Sequence, residues 1–563
     1  MMDETDWVNW DYGGSSYPDG RISKRLLAMG KAWVEAQGDE TLRIFPRQAD
    51  YRAASRLLNN TQVSMDDIFE SHRQATVMRC AQFPVVLAVQ DSTTLNYDTL
   101  KQQNQELCSI GGTGKGIYAH ANIAFTPEGG RVLGVLDIDG EFRPRAKASA
   151  QAVANQVTER AAPKTGKKVS KKTAKKVTRK AAKKMVSKVA RKSNKGADNS
   201  IEVAEKTEGK AAKAVVRNQR LKESVRWIEG LEVAGELSAA VAETQAMMAE
   251  RESPSNQAMA MTPTRVVTVC DREGDIWDLF ERQHALSDQV GLLVRSNGAR
   301  QRKVILEDGR SVPLRAHMES LEAIVGKEVH IAAQGGKRAR DKRTARVFLR
   351  IARVHLKAPA GKATSQGQTD LPVIAVSIKE DHPPADIKSP LNWLLLCTED
   401  EVDADNALRL CKWYETRWGI EEYFRTLKSG SKIENRQFLI TSALLKSLVF
   451  DAITAWRVFD LHRRAKLEPD LPTKQVIDPE EIATSKMLLH ERDPTLSAQP
   501  PPELTVREHQ IAVGKLAGFR PTNRQPVPGT KLTWIGTKIL MIAMQTVRAL
   551  KTKELIADNW QYG

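Results

Sequence analysis

The stretch Tyr414-Glu-Thr-Arg-Trp-Gly-Ile-Glu-Glu-Tyr-Phe-Arg-Thr-Leu-Lys428 decides how the rest of the chain is read. It holds no Pro, one Gly and many good helix formers, so it reads as helix. At about 100° per residue, Tyr414, Arg417, Glu421, Arg425 and Lys428 fall within roughly a quarter of the circumference. Trp413, Ile420, Phe424 and Leu427 form an apolar arc beside them, which predicts burial of that side. One carboxylate, Glu421, is thereby set among cations and a phenol at the edge of a buried face. A carboxylate suits a hard cation and the cationic donors suit phosphate oxygens, which together is what phosphodiester chemistry needs. The same spacing also permits a plain Arg417–Glu421–Arg425 ladder of i,i+4 pairs on a solvated helix.

Two more acids lie upstream. Pro84-Val-Val-Leu-Ala-Val-Gln-Asp91 is a short apolar run that reads as a buried strand with Asp91 at its carboxyl end, where open α/β sheets place their sites. Thr264-Arg-Val-Val-Thr-Val-Cys-Asp271 repeats the device, followed by a helix from Arg272. Residues 116–125 and 131–138 read as strands joined by Pro127-Glu-Gly-Gly130. A helix is expected near 222–248 and a fifth strand at 291–295. Each Asp alone reads as a helix cap or turn former. Two strand-end acids and a helical Glu, in this order, are much harder to assign to caps.

These residues also resemble a known family. The spacing of Tyr414, Arg417, Glu421 and Lys428 is similar to the Tyr-Arg-Glu-Lys signature of bacterial insertion-sequence transposases, cut-and-paste DDE enzymes. Trp-Gly-Ile-Glu-Glu-Tyr-Phe around Glu421, Asp91-Ser-Thr-Thr and Cys270-Asp-Arg-Glu-Gly-Asp-Ile resemble the family's acid motifs. The resemblance runs from about residue 21 to 550, apart from a basic tract. It implies an α/β fold (α+β overall): a ribonuclease-H-like mixed sheet with a β-rich insertion, flanked by helical N- and C-terminal domains. The expected domains are 17–78 for transposon-end binding, 79–460 for catalysis and 461–563 for dimerisation, with a basic disordered insert at 143–217 and a β-rich insertion at 296–392.

In the first of these, helices are expected at 21–37, 48–58 and 65–80. Arg21, Lys24 and Arg25 fall in the opening turns of the first, where cations oppose the helix dipole, so an external anion would account for them. Asp19-Gly-Arg21…Lys24-Arg-Leu26 and Tyr51-Arg-Ala-Ala-Ser-Arg56 resemble the family's end-binding domain. Trp393, in Pro390-Leu-Asn-Trp-Leu-Leu-Leu-Cys397, matches the tryptophan that stacks on a flipped base in the family; taken alone it reads as core. The helix expected over 532–550 carries Leu532, Ile535, Ile539 and Ile542 at helical spacing. It resembles the family's dimerisation element and would be awkward in water unpaired; core packing is the plainer reading.

Composition bounds the rest. At 563 residues the chain should hold two to four domains, and 41% hydrophobic residues suffice for a real core. The net charge is +17, but 16 Lys and Arg and no acid lie between Arg160 and Gly196, leaving 70 basic against 69 acidic residues elsewhere. Lys pairs repeat there every four residues, a pattern opposed to helix in the free chain and suited to phosphate binding without sequence readout, or to a solvating linker. Cys80, Cys108, Cys270, Cys397 and Cys411 are scattered without a Cys-x-x-Cys pair, as expected of reduced thiols. The acidic start is not a signal peptide and no apolar run approaches a membrane span, so a cytoplasmic, nucleoid-associated bacterial protein is expected. Gly111-Gly-Thr-Gly-Lys-Gly116 lacks the Ser or Thr of a phosphate loop, so no nucleotide cofactor is expected. His120, alone in a strand, reads as structural.

By resemblance, Asp91, Asp271 and Glu421 hold two Mg²⁺, with Mn²⁺ able to substitute, roughly 3.5–4 Å apart. Tyr414, Arg417 and Lys428 hold phosphates of the reacting double-stranded end, with Arg295 and Arg425 as weaker candidates. The implied reactions are nicking, hairpin formation and opening, and strand transfer by a homodimer on paired ends. The rivals are a metal-dependent nuclease of the same fold without strand transfer, and a non-enzymatic basic DNA-packaging protein.

Overall fold

The computed structural model describes residues 4–14, 17, 19–39, 41–98, 107–110, 114–141, 199–251, 262–286, 289–298, 301–331, 342–384, 387, 390–399, 401–438, 440–492 and 503–553. The Lys-rich tract at 160–196 and residues 111–113 of the Gly111–Gly116 loop lie outside the described residues. Met1–Phe142 and Trp227–Gly563 form one compact unit, and Arg143–Arg226 is a second.

The first unit opens with helices α1 (Trp7–Gly13), α2 (Gly20–Glu35), α3 (Thr41–Ile44), α4 (Gln48–Leu58) and α5 (Met65–Cys80). Strands β1 (Val85–Asn96), β2 (Cys108–Ser109), β3 (Lys115–Phe125) and β4 (Val132–Glu141) follow, then helix α6 (Asn199–Arg251), which belongs to this unit from Trp227 on. Next come β5 (Arg265–Cys270), α7 (Trp277–His284), β6 (Val290–Arg295), β7 (Lys303–Ile305), β8 (Ser311–Pro313) and α8 (Leu314–Ser320). Strands β9 (Val325–Ile331), β10 (Arg343–Lys357), β11 (Asp370–Glu380) and β12 (Asn392–Cys397) complete the sheet. The chain ends in helices α9 (Ala404–Thr416), α10 (Trp418–Ser429), α11 (Thr441–Leu467), α12 (Pro479–Arg492), α13 (Val506–Leu516) and α14 (Thr530–Thr552).

The fold is mixed α/β around one mixed sheet of 12 strands in the order β2-β3-β1-β5-β6-β12-β11-β10-β7-β8, with β4 also on β3 and β9 on β10. Strands β1, β3 and β4 are antiparallel, whereas β1, β5 and β6 run parallel. The β-rich stretch expected at 296–392 continues this sheet, because β12 pairs antiparallel with β6. The hairpin turn before β4 is the expected one, with Gly129 and Gly130 both at φ 70°, a conformation other residues adopt only at a cost.

Alternate residues of the central strands serve different layers. Leu87, Val89, Val267 and Val269 pack against α10 and α11, while Val86, Ala88, Val266 and Cys270 pack on the layer formed by α6 and α7. Helix α11 is buried along nearly its whole length. The N-terminal helices dock on it: the rings of Tyr12 and Trp33 stack on Phe450 with centroids 5.8 Å and 4.9 Å away. The indole of Trp33 donates to Asp451 (2.9 Å), which also accepts from Arg436 (2.6 Å). The expected domain boundary at 78/79 therefore falls within shared packing, and that at 460/461 falls inside α11. Among the described residues no helix is long and apolar enough to cross a membrane.

Several local readings change. Strand β1 runs on past Asp91 to Asn96, because the polar 92–96 segment still pairs with β3. The helix after Asp271 begins at Trp277, not Arg272. Gly274 turns so tightly over the strand end that a Cβ there would stand 2.6 Å from Cβ of Cys270. Helix α6 begins at Asn199, inside the stretch expected to be disordered. The 414–428 stretch is two helices, broken at Arg417.

Asp451 and Arg436 are each almost wholly buried. Asp451→Ala strands the Arg436 charge and the Trp33 indole, so it should cost about 3–5 kcal/mol in denaturant unfolding of the full chain. A loss under about 1 kcal/mol would mean that this contact does not clamp the N-terminal helices.

Candidate active site

The parallel register aligns Val89 with Val269, and Cys270 with Val294. Carried forward along the strands, this places Asp91 level with Asp271 and Asp271 level with Arg295. Arg295 in turn pairs with Leu395 on β12. Asp91 and Asp271 share the strand faces of Val89 and Val269, which look toward α10, the source of Glu421. Regular β1–β5 pairing ends just before the acids, so they stand where the two strands begin to part.

Arg417 ties this row to the helices. Its Nη1 donates to Oδ2 of Asp91 (3.0 Å) and its Nη2 to Oε1 of Glu421 (2.6 Å). The guanidinium sits over the rings of Tyr414 (5.8 Å) and Trp418 (5.9 Å). Its placement comes from the break between α9 and α10. Gly419 lets α10 approach the end of β3, where a Cβ would stand 2.8 Å from the Phe125 ring. Trp413, Ile420, Phe424 and Leu427 are buried, as their spacing predicts.

The electrostatics follow from burial and charge crowding. Burial raises the Asp91 carboxyl to about 6, with Asp271 and Glu421 adding to the rise and Arg417 opposing it. Burial also pushes the Tyr414 phenol up, against the pull of Arg417 and Arg295. The Arg295 guanidinium is pushed down by burial, opposed by Tyr414 and aided by Arg272 and Arg417. Burial alone would lower Arg417, yet Tyr414, Asp91 and Glu421 together hold it above its ordinary value. Trp393 is half-buried, edge-on to Tyr414 at 5.4 Å and beneath Arg295 at 5.6 Å.

Asp91, Asp271, Glu421, Arg417, Tyr414, Arg295 and Trp393 are thus brought together. Other candidates lie apart from this set. Lys428 is half-buried and lowered by burial, with Glu434 as its opposing charge. Arg425 is exposed on α10. Arg21 is paired with Asp19 (3.0 Å) and Arg25 with Asp50 (3.6 Å), while Lys24 is exposed. Asp19 caps α2 by accepting from Arg21 N–H. On α14, Ile535 and Ile542 are 39% and 52% exposed, whereas Leu532 and Ile539 are half-buried.

Other residues of the site escape sequence reading. Oδ1 of Asp91 accepts from Ser92 N–H (2.7 Å), and the Ser92 hydroxyl meets Nδ1 of His120 (2.8 Å). His120 Nε2 donates to Oε1 of Gln90 (3.1 Å), whose amide donates to the Trp227 carbonyl on α6 (3.3 Å). His120 is thus structural, as expected, and braces the strand that carries Asp91. Asp275 accepts from Arg302 and from Asn297 N–H (2.6 Å), fastening the loop after Asp271. Only its place in Asp-Arg-Glu-Gly-Asp could have drawn notice.

Among the described residues, no three His, Cys, Asp or Glu side chains are gathered so as to hold a metal ion as they stand. The donor set is of the right kind, since three carboxylates suit a hard divalent cation. Arg417 stands between two of them. No protein-family model matches the chain.

For Asp91 the folded value lies above the ordinary 3.8, so the fold makes ionisation of this carboxyl less favourable than in the unfolded chain. Its stabilising contribution is full below about 3.8 and is lost as pH rises through about 6. Asp91→Asn removes this titration. Between about pH 4 and about pH 7.5 the variant should gain on wild type by about 2–3 kcal/mol in urea unfolding. A pH-independent difference would rule out burial of Asp91 as the cause.

Proposed function

We propose that the chain is a DNA transposase with a ribonuclease-H-like catalytic core, acting on the double-stranded ends of its own element. The observation that carries this reading is the level row of Asp91, Asp271 and Arg295 across three parallel strands, faced by Glu421 and joined to it through Arg417. Three antiparallel strands followed by two parallel ones, in the order β4-β3-β1-β5-β6, support the core assignment. The Tyr414, Arg417, Glu421 and Lys428 signature supports the family.

In this reading Asp91, Asp271 and Glu421 hold Mg²⁺ or Mn²⁺. When bound, such cations supply Lewis-acid activation of an attacking hydroxyl and of a leaving oxygen. The chain's own residues position the DNA. Arg417 and Arg295 offer planar forks to phosphate oxygens, and Tyr414 offers a phenol held rigid between them. Trp393 offers a half-buried indole for an unstacked base. No side-chain nucleophile is required, which agrees with His120 being engaged in the strand brace. The stretch 160–196 adds sequence-independent grip on phosphates. The exposed Ile535 and Ile542 offer a surface for a second copy, needed if both ends are to be cut and joined together.

The test is cleavage and strand transfer by the purified chain on DNA bearing the sequences that flank its reading frame. Asp91→Ala, Asp271→Ala and Glu421→Ala should each lower cleavage on the order of a thousandfold or more while retaining end binding. Near-normal cleavage by any of the three removes that residue from the site. Cleavage by wild type with no joined product identifies a nuclease instead.

Deletion of residues 160–196 should spare cleavage but flatten the dependence of log affinity on log salt, by about 0.9 per lost phosphate contact. An unchanged slope assigns the tract to a linker.

A further inference from the structure

We infer that Arg417 makes cation loading depend on nucleic acid: in the DNA-free chain it serves as the internal counter-ion of the acids, and a phosphate must draw it away before they can close on a divalent cation. This rests on the reading of the site given above. The geometry sets up a competition for this side chain. Its two terminal nitrogens are committed to different carboxylates, Asp91 at 3.0 Å and Glu421 at 2.6 Å. A phosphate engages a guanidinium best through two parallel bonds from one edge of the fork. Arg417 keeps further N–H donors beyond these two, so a phosphate can engage it first and then compete with the carboxylates for the guanidinium.

Arg417 occupies one oxygen of each of these two carboxylates, oxygens otherwise open to a cation. A positive charge within hydrogen-bond distance of two of the three carboxylates repels an incoming divalent ion as well as blocking its ligands. The arrangement is also well held. The Arg417 side chain is only 10% exposed and is flanked by the Tyr414 and Trp418 rings, so water replaces its partners poorly. An anion of comparable strength can replace them, and Trp418, at 55% exposure, leaves an open flank by which to arrive. Arg417 sits at the α9–α10 break, so its side chain can swing without unwinding either helix.

Such coupling is reciprocal: whatever factor DNA contributes to cation affinity, the cation contributes to DNA affinity. Its consequence is that the chain without DNA should hold divalent ions weakly.

The experiment measures Mn²⁺ binding to the full chain without DNA, by titration calorimetry or electron paramagnetic resonance, and needs no catalytic turnover. Arg417→Gln should bind Mn²⁺ about tenfold or more tightly than wild type, and adding Asp91→Asn to it should abolish the gain. Arg417→Lys, which keeps the charge but cannot span both carboxylates, should fall between; it decides the matter if the Gln variant does not fold. Equal or weaker Mn²⁺ binding by the folded variants, or a gain that survives Asp91→Asn, overturns the inference. The functional reading is judged separately, by wild-type cleavage, so either can fail while the other stands.

Discussion

Helix α11 is buried on nearly every side and yet carries Lys446, Asp451, Arg457, Asp460 and Arg464. A charge taken out of water must find a partner in the fold, and this requirement fixes where the neighbouring segments go. Asp451 receives Trp33 from α2 and Arg436 from the segment after α10. Lys446 donates to the carbonyls of Leu58 (3.1 Å) and Asn60 (2.6 Å) at the end of α4. Arg464 pairs with Asp460 (2.9 Å) and reaches Glu4 near the start of the chain (2.5 Å). The N-terminal helices and the segment after α10 are thereby referred to one axis.

A second polar cluster joins α5 to the same axis. Nδ1–H of the buried His72 donates to Asp11 (2.5 Å) and its Nε2 accepts from Val135 N–H (2.9 Å), so the ring is neutral and bridges helix and sheet. Arg79 pairs with Asp11 (2.5 Å) and lies over the Trp456 ring at 4.2 Å. Both clusters are conditions of the site. Arg417 reaches both Asp91 and Glu421 with α10 packed against α11 and the end of β3.

Much of this was legible in local sequence. Alternation and apolar runs located β3, β4, β5 and β6 within a few residues, and α4 and α5 at their observed bounds, because burial on one face imposes a period that a strand or helix must honour. The misreadings share one cause. Residues 92–96 lie beyond the strand end expected at Asp91 but are held in β1 by pairing with β3. The 414–428 stretch has the propensity of one helix but is interrupted at Arg417, whose own dihedrals (φ −50°, ψ −33°) stay helical. Arg417 was placed beside Glu421, four residues away, but its other partner is 326 residues distant. The strand-bracing chain through His120 likewise joins β1, β3 and α6. Such contacts are made by tertiary packing, which periodicity does not encode.

The continuity of the sheet from β5 through β6 to β12 has a metric consequence. Asp271 and the strand bearing Trp393 are two strand spacings apart, about 10 Å, across the continuous β5–β6 and β6–β12 ladders that end beside them at Cys270 and Leu395. A plate of this kind behaves as a ruler. The gap between the acids and the indole cannot stretch to suit a different partner, so any misfit has to be absorbed by whatever is laid across it.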